Sequence, residues 1–158
     1  MKQSKIKPLI CLLLSVAFCI NSYSQQHVKV NWLSFEKLAD TLQIHPKKIM
    51  LNLHTTWCKY CKMMDKQTFT DTGVINLLNK KVYAVKMDAE TNKTITFLGK
   101  TFYGNQSSSV LHPLAALLCG DGDKGFPQTI IINEDGEIIF QYAGLLTLEN
   151  LKLVLQKL

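Results

Sequence analysis

Two cysteines, Cys58 and Cys61, are separated by two residues in the hexapeptide 57–62, which reads Trp-Cys-Lys-Tyr-Cys-Lys. The apolar run Ile49–His54 before them has the character of a buried strand, and the residues from Lys62 to Phe69 can continue as a helix. In the first turn of a helix, this spacing lets the two sulfurs meet. The unpaired N–H groups and the positive dipole end of that turn favour the thiolate form of Cys58. The pattern therefore predicts a dithiol redox centre.

The same two thiols suit a second kind of chemistry, the binding of a soft Cu(I) ion or of zinc. Further ligands for such a site would come from His54, Met63, Met64, His112 or Cys119. No second Cys-x-x-Cys and no closely spaced pair of histidines completes a structural zinc site. We therefore expect no metal and no cofactor apart from the Cys58–Cys61 disulfide, with a metal-binding module as the alternative.

The first 24 residues have the three parts of a secretory signal: a lysine-bearing start, the apolar core Leu9–Ile20, and small residues at Ser22 and Ser24. An apolar core of about twelve residues is too short to span a bilayer comfortably. A lipoprotein signal with Cys19 as the lipidated residue is a weaker alternative. We expect cleavage after about Ser24 and export to the periplasm.

Export changes the cysteine inventory, because Cys11 and Cys19 leave with the signal and the mature chain keeps Cys58, Cys61 and Cys119. An odd number of cysteines in an oxidising compartment is not the pattern of a disulfide scaffold. It indicates one working pair and one remaining thiol. We expect Cys119 to be buried and inert, with a regulatory or intermolecular thiol as the alternative.

The charge pattern bears on possible partners. The chain has a formal net charge of +6, and all 18 of its basic residues are lysines. Three of them precede residue 24 and all 12 acids follow it, so the mature chain has 15 − 12 = +3. Without arginine or a dense basic run, we expect no nucleic-acid binding.

The elements that must position the dithiol mix helices with strands. The length of 158 residues, 47% of them apolar, predicts one globular domain over 25–158. Patterning predicts helices over 34–44, 58–69, 72–79, 110–118 and from 147 onward, with Ser34 as an N-cap and Pro113 in a first turn. Strands are predicted over 48–54, 82–88, 129–133 and 137–142, the last two as a hairpin through Asp135 and Gly136. The polar segment 89–109 is expected to have little regular structure.

This order resembles the thioredoxin superfamily, with the Trp-Cys-x-x-Cys-Lys motif after the first buried strand and Phe126-Pro127-Gln128-Thr129 before the hairpin. The resemblance covers roughly residues 30–158 and is closest to exported bacterial thioredoxin-like proteins. It implies an α/β thioredoxin-like fold, a central mixed β-sheet flanked by helices. It also implies an insertion, about residues 89–125, before the strand that carries a cis-proline.

The resemblance also implies roles for residues on both sides of the site. The Phe126–Pro127 bond would be cis and face the dithiol, leaving the Phe126 backbone to pair with an extended substrate peptide. Trp57 would pack beside the pair and limit solvent access. Cys58, the more exposed sulfur, would attack a substrate disulfide and Cys61 would resolve the mixed disulfide.

Four further residues have supporting roles in this interpretation. Lys59, together with Lys62, adds positive potential that favours ionised Cys58, and Tyr60 lies between the two cysteines. Asn52 occupies the strand position where thioredoxins commonly carry a buried aspartate, and an amide cannot accept a proton at neutral pH. Either a water or another group, Lys86 or Glu90, would then take the proton of Cys61, or the resolving step would be slower.

These observations predict an exported protein thiol–disulfide oxidoreductase that reduces disulfides. The alternatives are a dithiol oxidase or isomerase, since potentials of such pairs span roughly −270 to −120 mV. The expected partners are substrate proteins with disulfides and a membrane-bound or periplasmic electron donor. Reduction is favoured by analogy, because exported proteins of this kind are often re-reduced by a membrane electron carrier.

Overall fold

The computed structural model describes residues 28–105, 110–122 and 125–158. The predicted signal peptide, with Cys11 and Cys19, lies outside these ranges. Within them, no helix is long and apolar enough to cross a membrane. The helices are α1 (Phe35–Ile44), α2 (Lys59–Gln67), α3 (Thr72–Lys81), α4 (Pro113–Cys119) and α5 (Leu148–Gln156). The strands are β1 (Trp32–Leu33), β2 (Ile49–His54), β3 (Tyr83–Asp88), β4 (Ile95–Phe97), β5 (Lys100–Phe102), β6 (Gln128–Ile132) and β7 (Ile138–Ala143).

Five strands form one mixed sheet in the order β1-β3-β2-β6-β7. Strands β1, β3 and β2 run parallel to one another. Strand β6 pairs antiparallel with β2, and β7 pairs antiparallel with β6. Strand β2 is central, and every residue in it except His54 is buried. A strand covered on both faces reads as a continuous apolar run, which is why its prediction succeeded. The predicted mixed sheet flanked by helices is confirmed.

Alternate residues of β2 serve two different hydrophobic clusters, because successive side chains in a strand point to opposite faces. Ile49, Leu51 and Leu53 pack with buried residues of α1 and α4. Met50 packs on the other face with buried residues of α2, α3 and α5. The N-terminus of α2 therefore lies over the face of the sheet that also carries Asn52 and His54.

The prediction of little regular structure over 89–109 is wrong, because this segment contains the antiparallel hairpin β4–β5. Its two-residue turn places Leu98 at φ 47° and Gly99 at φ 76°, the positive values that tight hairpins need. Phe97 is buried and its ring meets that of Phe35 edge-on, with centroids 5.7 Å apart. The hairpin is therefore part of the core on the α1 and α4 side.

Helix α4 begins at Pro113, not at residue 110 as predicted, because His112 ends the preceding loop as the N-cap. His112 Nδ1 accepts a hydrogen bond from Leu114 N–H at 3.1 Å. Its Nε2 lies 3.0 Å from the Lys93 carbonyl oxygen, and its backbone N–H donates to the Ala89 carbonyl at 2.8 Å. This buried histidine thus joins α4 to the segment before it.

The other helix starts follow simple capping chemistry. Ser34 accepts from Lys37 N–H at 3.3 Å, as predicted, and Asp71 accepts from Val74 N–H at 2.9 Å. Thr147 caps α5. The predicted hairpin after residue 128 is also confirmed, with Gly136 at φ 86° in its turn. Strand β1, only two residues long, was not predicted.

Candidate functional site

The two cysteines of the hexapeptide form a disulfide at the N-terminus of α2, with their Cα atoms 5.3 Å apart. Cys58 is the N-cap residue, and its Sγ accepts a hydrogen bond from Cys61 N–H at 3.0 Å. Its own N–H donates to the Thr55 carbonyl at 3.3 Å. A sulfur at this place faces the unpaired N–H groups and positive end of the helix, which favours its thiolate form after reduction.

The expectation that Cys58 carries the more exposed sulfur stays a prediction, because both cysteines are buried in this disulfide form. As residues, Cys58 is 3% and Cys61 is 4% exposed. The physical reason is the cap itself, because the Cys58 side chain folds back over the first turn of α2 toward the Cys61 N–H. Exposure therefore does not distinguish the two sulfurs, whereas hydrogen bonding does.

Pro127 lies beside the end of β2, and the Phe126–Pro127 bond is cis, as predicted. The register pairs Leu53 with Gln128, which places Pro127 next to the loop that leads into the dithiol. The Pro127 carbonyl oxygen accepts from Gly144 N–H at 2.7 Å. Pairing of the Phe126 backbone with a substrate peptide stays a prediction.

Aromatic and basic side chains surround the disulfide on its solvent side. Trp57 is 65% exposed and Tyr60 is 56% exposed. The Trp57 indole N–H donates to the Glu90 carboxylate at 3.0–3.1 Å, and its ring meets that of Phe126 edge-on at 6.3 Å. Lys59 and Lys62 are exposed on the same first turn of α2. We call Trp57, Lys59, Tyr60, Lys62 and Phe126 the rim.

Beneath the disulfide, the sheet presents a polar group of side chains. Asn52 on β2 pairs in register with Lys86 on β3 and with Thr129 on β6, so the three side chains lie together on one face. His54 follows two residues along the same face of β2. The Asn52 Nδ2 and the Thr129 Oγ1 are buried without a hydrogen-bond partner among the described residues. We call Asn52, His54, Lys86 and Thr129 the floor.

One charged residue of the site was missed in the sequence, namely Asp65. It forms an ion pair with Lys86, and it follows Cys61 by four residues on α2, which places both on one helix face. This i, i+4 spacing was the available signal. Lys86 and Glu90, the two expected proton acceptors, therefore both have partners. Lys86 pairs with Asp65, and Glu90 accepts a hydrogen bond from the Trp57 indole.

The surroundings of His54 change its pKa. Burial lowers the pKa of His54 below its ordinary value of 6.5, and the positive charge of Lys86 lowers it further. Asp88 and Asp65 oppose this shift with smaller effects. His54 is therefore neutral at pH 7 and adds no charge beneath the disulfide.

The residues of the alternative metal site are not brought together. Met64 is packed in the cluster under α2, whereas Cys119 is buried in the cluster on the opposite face of the sheet. His112 caps α4 with one ring nitrogen and contacts the Lys93 carbonyl with the other. Among the residues described, no group of three or more His, Cys, Asp or Glu side chains could hold a metal ion.

Comparisons with known proteins agree with this geometry. The model of the thioredoxin-like domain family matches residues 35–158. A 63-residue stretch is 35% identical to the thiol:disulfide interchange protein DsbD of Campylobacter jejuni; it covers 39% of this chain and 11% of that protein. The chain therefore spans about a tenth of the length of this curated relative.

Two solved structures show the same fold. A thioredoxin from Thermus thermophilus superposes with a TM-score of 0.59 at 18% identity, covering 82% of this chain and 86% of that one. A putative disulphide-isomerase from Bacteroides thetaiotaomicron superposes with a TM-score of 0.56 at 25% identity, covering 82% and 93%.

Proposed function

This chain belongs to the thioredoxin-like domain family, and from that premise we propose that it is an exported thiol–disulfide oxidoreductase that reduces disulfides in proteins. The observation that carries the proposal is the Cys58–Cys61 disulfide at the N-terminus of α2, with the Cys61 N–H donated to Cys58 Sγ. A hydrogen bond to sulfur at a helix N-terminus favours one thiolate, and a thiolate is the attacking species in disulfide exchange.

The proposed reaction has two exchanges. In the reduced protein, the Cys58 thiolate attacks one sulfur of a substrate disulfide, and the other substrate sulfur leaves as a thiolate that takes up a proton. Cys61, having lost its proton, then attacks Cys58 Sγ and breaks the mixed disulfide. The substrate gains two electrons and two protons, and this chain ends in the disulfide form.

The rim is the proposed contact surface for the substrate. Exposed aromatic side chains such as Trp57 and Tyr60 supply contact area at low cost in conformational entropy. The Trp57 indole is held by Glu90 and lies against Phe126, so this part of the rim is fixed before a substrate arrives. Together with Pro127, these residues form the substrate-binding part of the proposal.

Continuous turnover needs a dithiol partner that reduces Cys58–Cys61 again. We assign this role to a membrane-bound or periplasmic electron donor, with no metal and no cofactor apart from the disulfide. The similarity to a thiol:disulfide interchange protein supports exchange with a redox partner. The signal-like residues 1–24 support export to the periplasm.

Disulfide isomerisation is the second candidate function, and the name of the Bacteroides thetaiotaomicron protein favours it. An isomerase must attack a wrong disulfide and leave without net oxidation or reduction. Recovery of activity from scrambled ribonuclease, measured without added reductant beyond the reduced protein, distinguishes this function. Reduction of insulin without such recovery favours the reductase.

The direct test is insulin reduction by the full chain in the presence of a dithiol, followed as turbidity. We expect Cys61→Ser to lose turnover and to accumulate a mixed disulfide between Cys58 and the substrate, visible by mass spectrometry. Cys119→Ser is the matched control and should reduce insulin at the parent rate. Equal insulin reduction by Cys61→Ser and the parent would contradict the proposed function.

A further inference from the structure

The floor contains an amide group that has nothing to bind in the disulfide form. Asn52 is 2% exposed, and its Nδ2 has no hydrogen-bond partner in the described part of the chain. A buried donor without a hydrogen-bond partner destabilises the state in which it occurs. Such a group in the middle of the central strand suggests that its partner belongs to another state of the protein.

The place of Asn52 in the fold points to that partner. Met50, two residues earlier on the same face of β2, packs in one cluster with Met64 of α2. Cys61 precedes Met64 by three residues, so it lies about one turn closer to the N-terminus of α2. Asn52 follows Met50 by two residues, so it lies closer to the C-terminal end of β2. The buried sulfur of Cys61 and the Asn52 amide are thus on facing sides of two packed elements.

Neither register neighbour of Asn52 accepts a hydrogen bond from it in the disulfide form. Thr129, its register partner on β6, has a hydroxyl that is also without a hydrogen-bond partner. Lys86, its register partner on β3, is a donor and already pairs with Asp65. A disulfide sulfur is a weak acceptor, whereas a thiolate accepts strongly.

We propose that in the dithiol form the Asn52 Nδ2–H donates a hydrogen bond to the Cys61 thiolate and so makes this second thiol more acidic. The inference rests on the proposed function. The role it gives to Asn52 differs from that of an aspartate at the same position. A carboxylate at this position would accept the proton but repel the thiolate, whereas the amide stabilises the thiolate and the proton leaves to solvent.

The effect falls on the second exchange. The Cys61 thiol releases its proton to water, and its thiolate attacks Cys58 Sγ in the mixed disulfide. The bond between Cys58 and the substrate sulfur breaks, and the substrate leaves as a thiolate that is protonated by solvent. No electrons beyond those of the two exchanges are involved, and Asn52 only holds the sulfur that attacks.

Other titratable groups lie on the elements around Asn52, and their effects must be separated from that of its amide. His54 is neutral above pH 7 because burial lowers its pKa. The remaining charges come from β3, from α2 and from the loop after β3: Lys86, Asp88, Lys59, Lys62, Asp65 and Glu90. None of these is changed when Asn52 is replaced, so a comparison of variants at position 52 isolates the amide.

The test is the pH dependence of Cys61 alkylation by iodoacetamide, read for the Cys61 peptide by mass spectrometry in the full chain with Cys58→Ser. Losing a hydrogen bond to a charged group changes an ionisation constant by about tenfold or more. Asn52→Leu should therefore raise the alkylation midpoint by about one pH unit, and Asn52→Asp should raise it further. Thr129→Val is the matched control on the same face and should leave the midpoint in place.

An unchanged midpoint in Asn52→Leu, or a lower midpoint in Asn52→Asp, would overturn the inference. This readout needs no turnover, so it stays separate from insulin reduction, which tests the proposed function. If a variant does not fold, the parent chain gives the same answer by nuclear magnetic resonance of its asparagine side-chain amides. The Asn52 NH₂ signals should shift when the pair is reduced and should follow the Cys61 ionisation; signals that do not respond would contradict the inference.

Discussion

The rim and the floor lie on opposite sides of one disulfide and differ in almost every physical property. The rim is exposed, aromatic and basic, with Trp57 fixed by a hydrogen bond to Glu90. In the floor, Asn52 and Thr129 are buried and His54 and Lys86 are half-buried, and two polar atoms, on Asn52 and Thr129, have no partner within the described ranges. From this difference we propose a division of work, in which the rim selects what reaches the sulfurs and the floor sets how easily the sulfurs ionise.

This division has a structural origin. The rim comes from a loop, the first turn of α2 and the residue before Pro127, all at the edge where the strands end. The floor comes from the three adjacent strands β2, β3 and β6, whose register determines which side chains are neighbours. Changes in the rim should therefore alter activity without altering stability, whereas the stability of the fold should respond mainly to changes in the floor.

The largest expected effect that separates the two regions is on the rim. Trp57→Ala should lower kcat/KM for insulin by about tenfold, because interface aromatic side chains are worth about 1–2 kcal/mol of binding. The free energy of unfolding should stay within about 0.5 kcal/mol of the parent, since the side chain is exposed. Reduction of a small disulfide such as oxidised glutathione serves as the control. An equal loss with both substrates would place Trp57 in the chemistry of the sulfurs instead of in the rim.

The next effect is on the floor and concerns stability. Replacing a buried hydroxyl that has no partner by an isosteric methyl is neutral or stabilising, by up to about 1 kcal/mol. Thr129→Val should therefore leave the free energy of unfolding unchanged or raise it, as measured by urea denaturation. The matched control is Thr68→Val, which removes a buried hydroxyl that donates to the Leu146 carbonyl at 3.0 Å and should lose about 1–2 kcal/mol. Equal destabilisation by both changes would show that the Thr129 hydroxyl has a partner.

The smallest effect is the pH dependence that the floor contributes through His54. Its pKa is lowered in the folded state by burial and by Lys86, so the unfolded chain binds more protons near pH 6. The contribution of His54 to the free energy of unfolding is complete when the pH is above 6.5, the ordinary pKa of histidine. This contribution is lost as the pH falls below that value. His112 contributes in the same direction, since burial lowers its pKa as well.

His54→Asn should therefore flatten the decline in the free energy of unfolding between pH 7 and pH 5. His45→Asn, at an exposed position in the loop after α1, is the matched control and should keep the slope of the parent. The measurement is urea denaturation at a series of pH values. If the free energy of unfolding of His54→Asn falls as steeply with pH as that of the parent, His54 does not cause the pH dependence.

The elements nearest the dithiol could be predicted from the sequence because their signals are local. The continuous apolar run of β2 and the spacing of the cysteines placed the strand-to-helix junction, and Asp135–Gly136 placed the β6–β7 turn. Capping by Ser34 was also visible. Each of these depends on residues within a few positions of one another.

Features that depend on long-range contacts were not predictable in the same way. The hairpin β4–β5 turns through Leu98 and Gly99, and leucine is a poor signal for a residue with positive φ. Helix α4 starts at Pro113 and is shorter than predicted, because His112 is its N-cap. The two ring nitrogens of His112 contact Leu114 and Lys93, and the contact with Lys93 joins distant parts of the chain. The burial of Cys58 and the Asp65–Lys86 pair likewise depend on how α2 lies on the sheet.

The central claim is that Cys58 and Cys61 form a working redox pair and not a structural cross-link. The most direct test is a redox titration of the full chain, with the state of this pair read by mass spectrometry after thiol trapping. We expect one reversible two-electron transition between roughly −270 and −120 mV, and for a reductase we expect it toward the more negative end. A pair that stays oxidised below about −300 mV would behave as a structural disulfide and would contradict the claim.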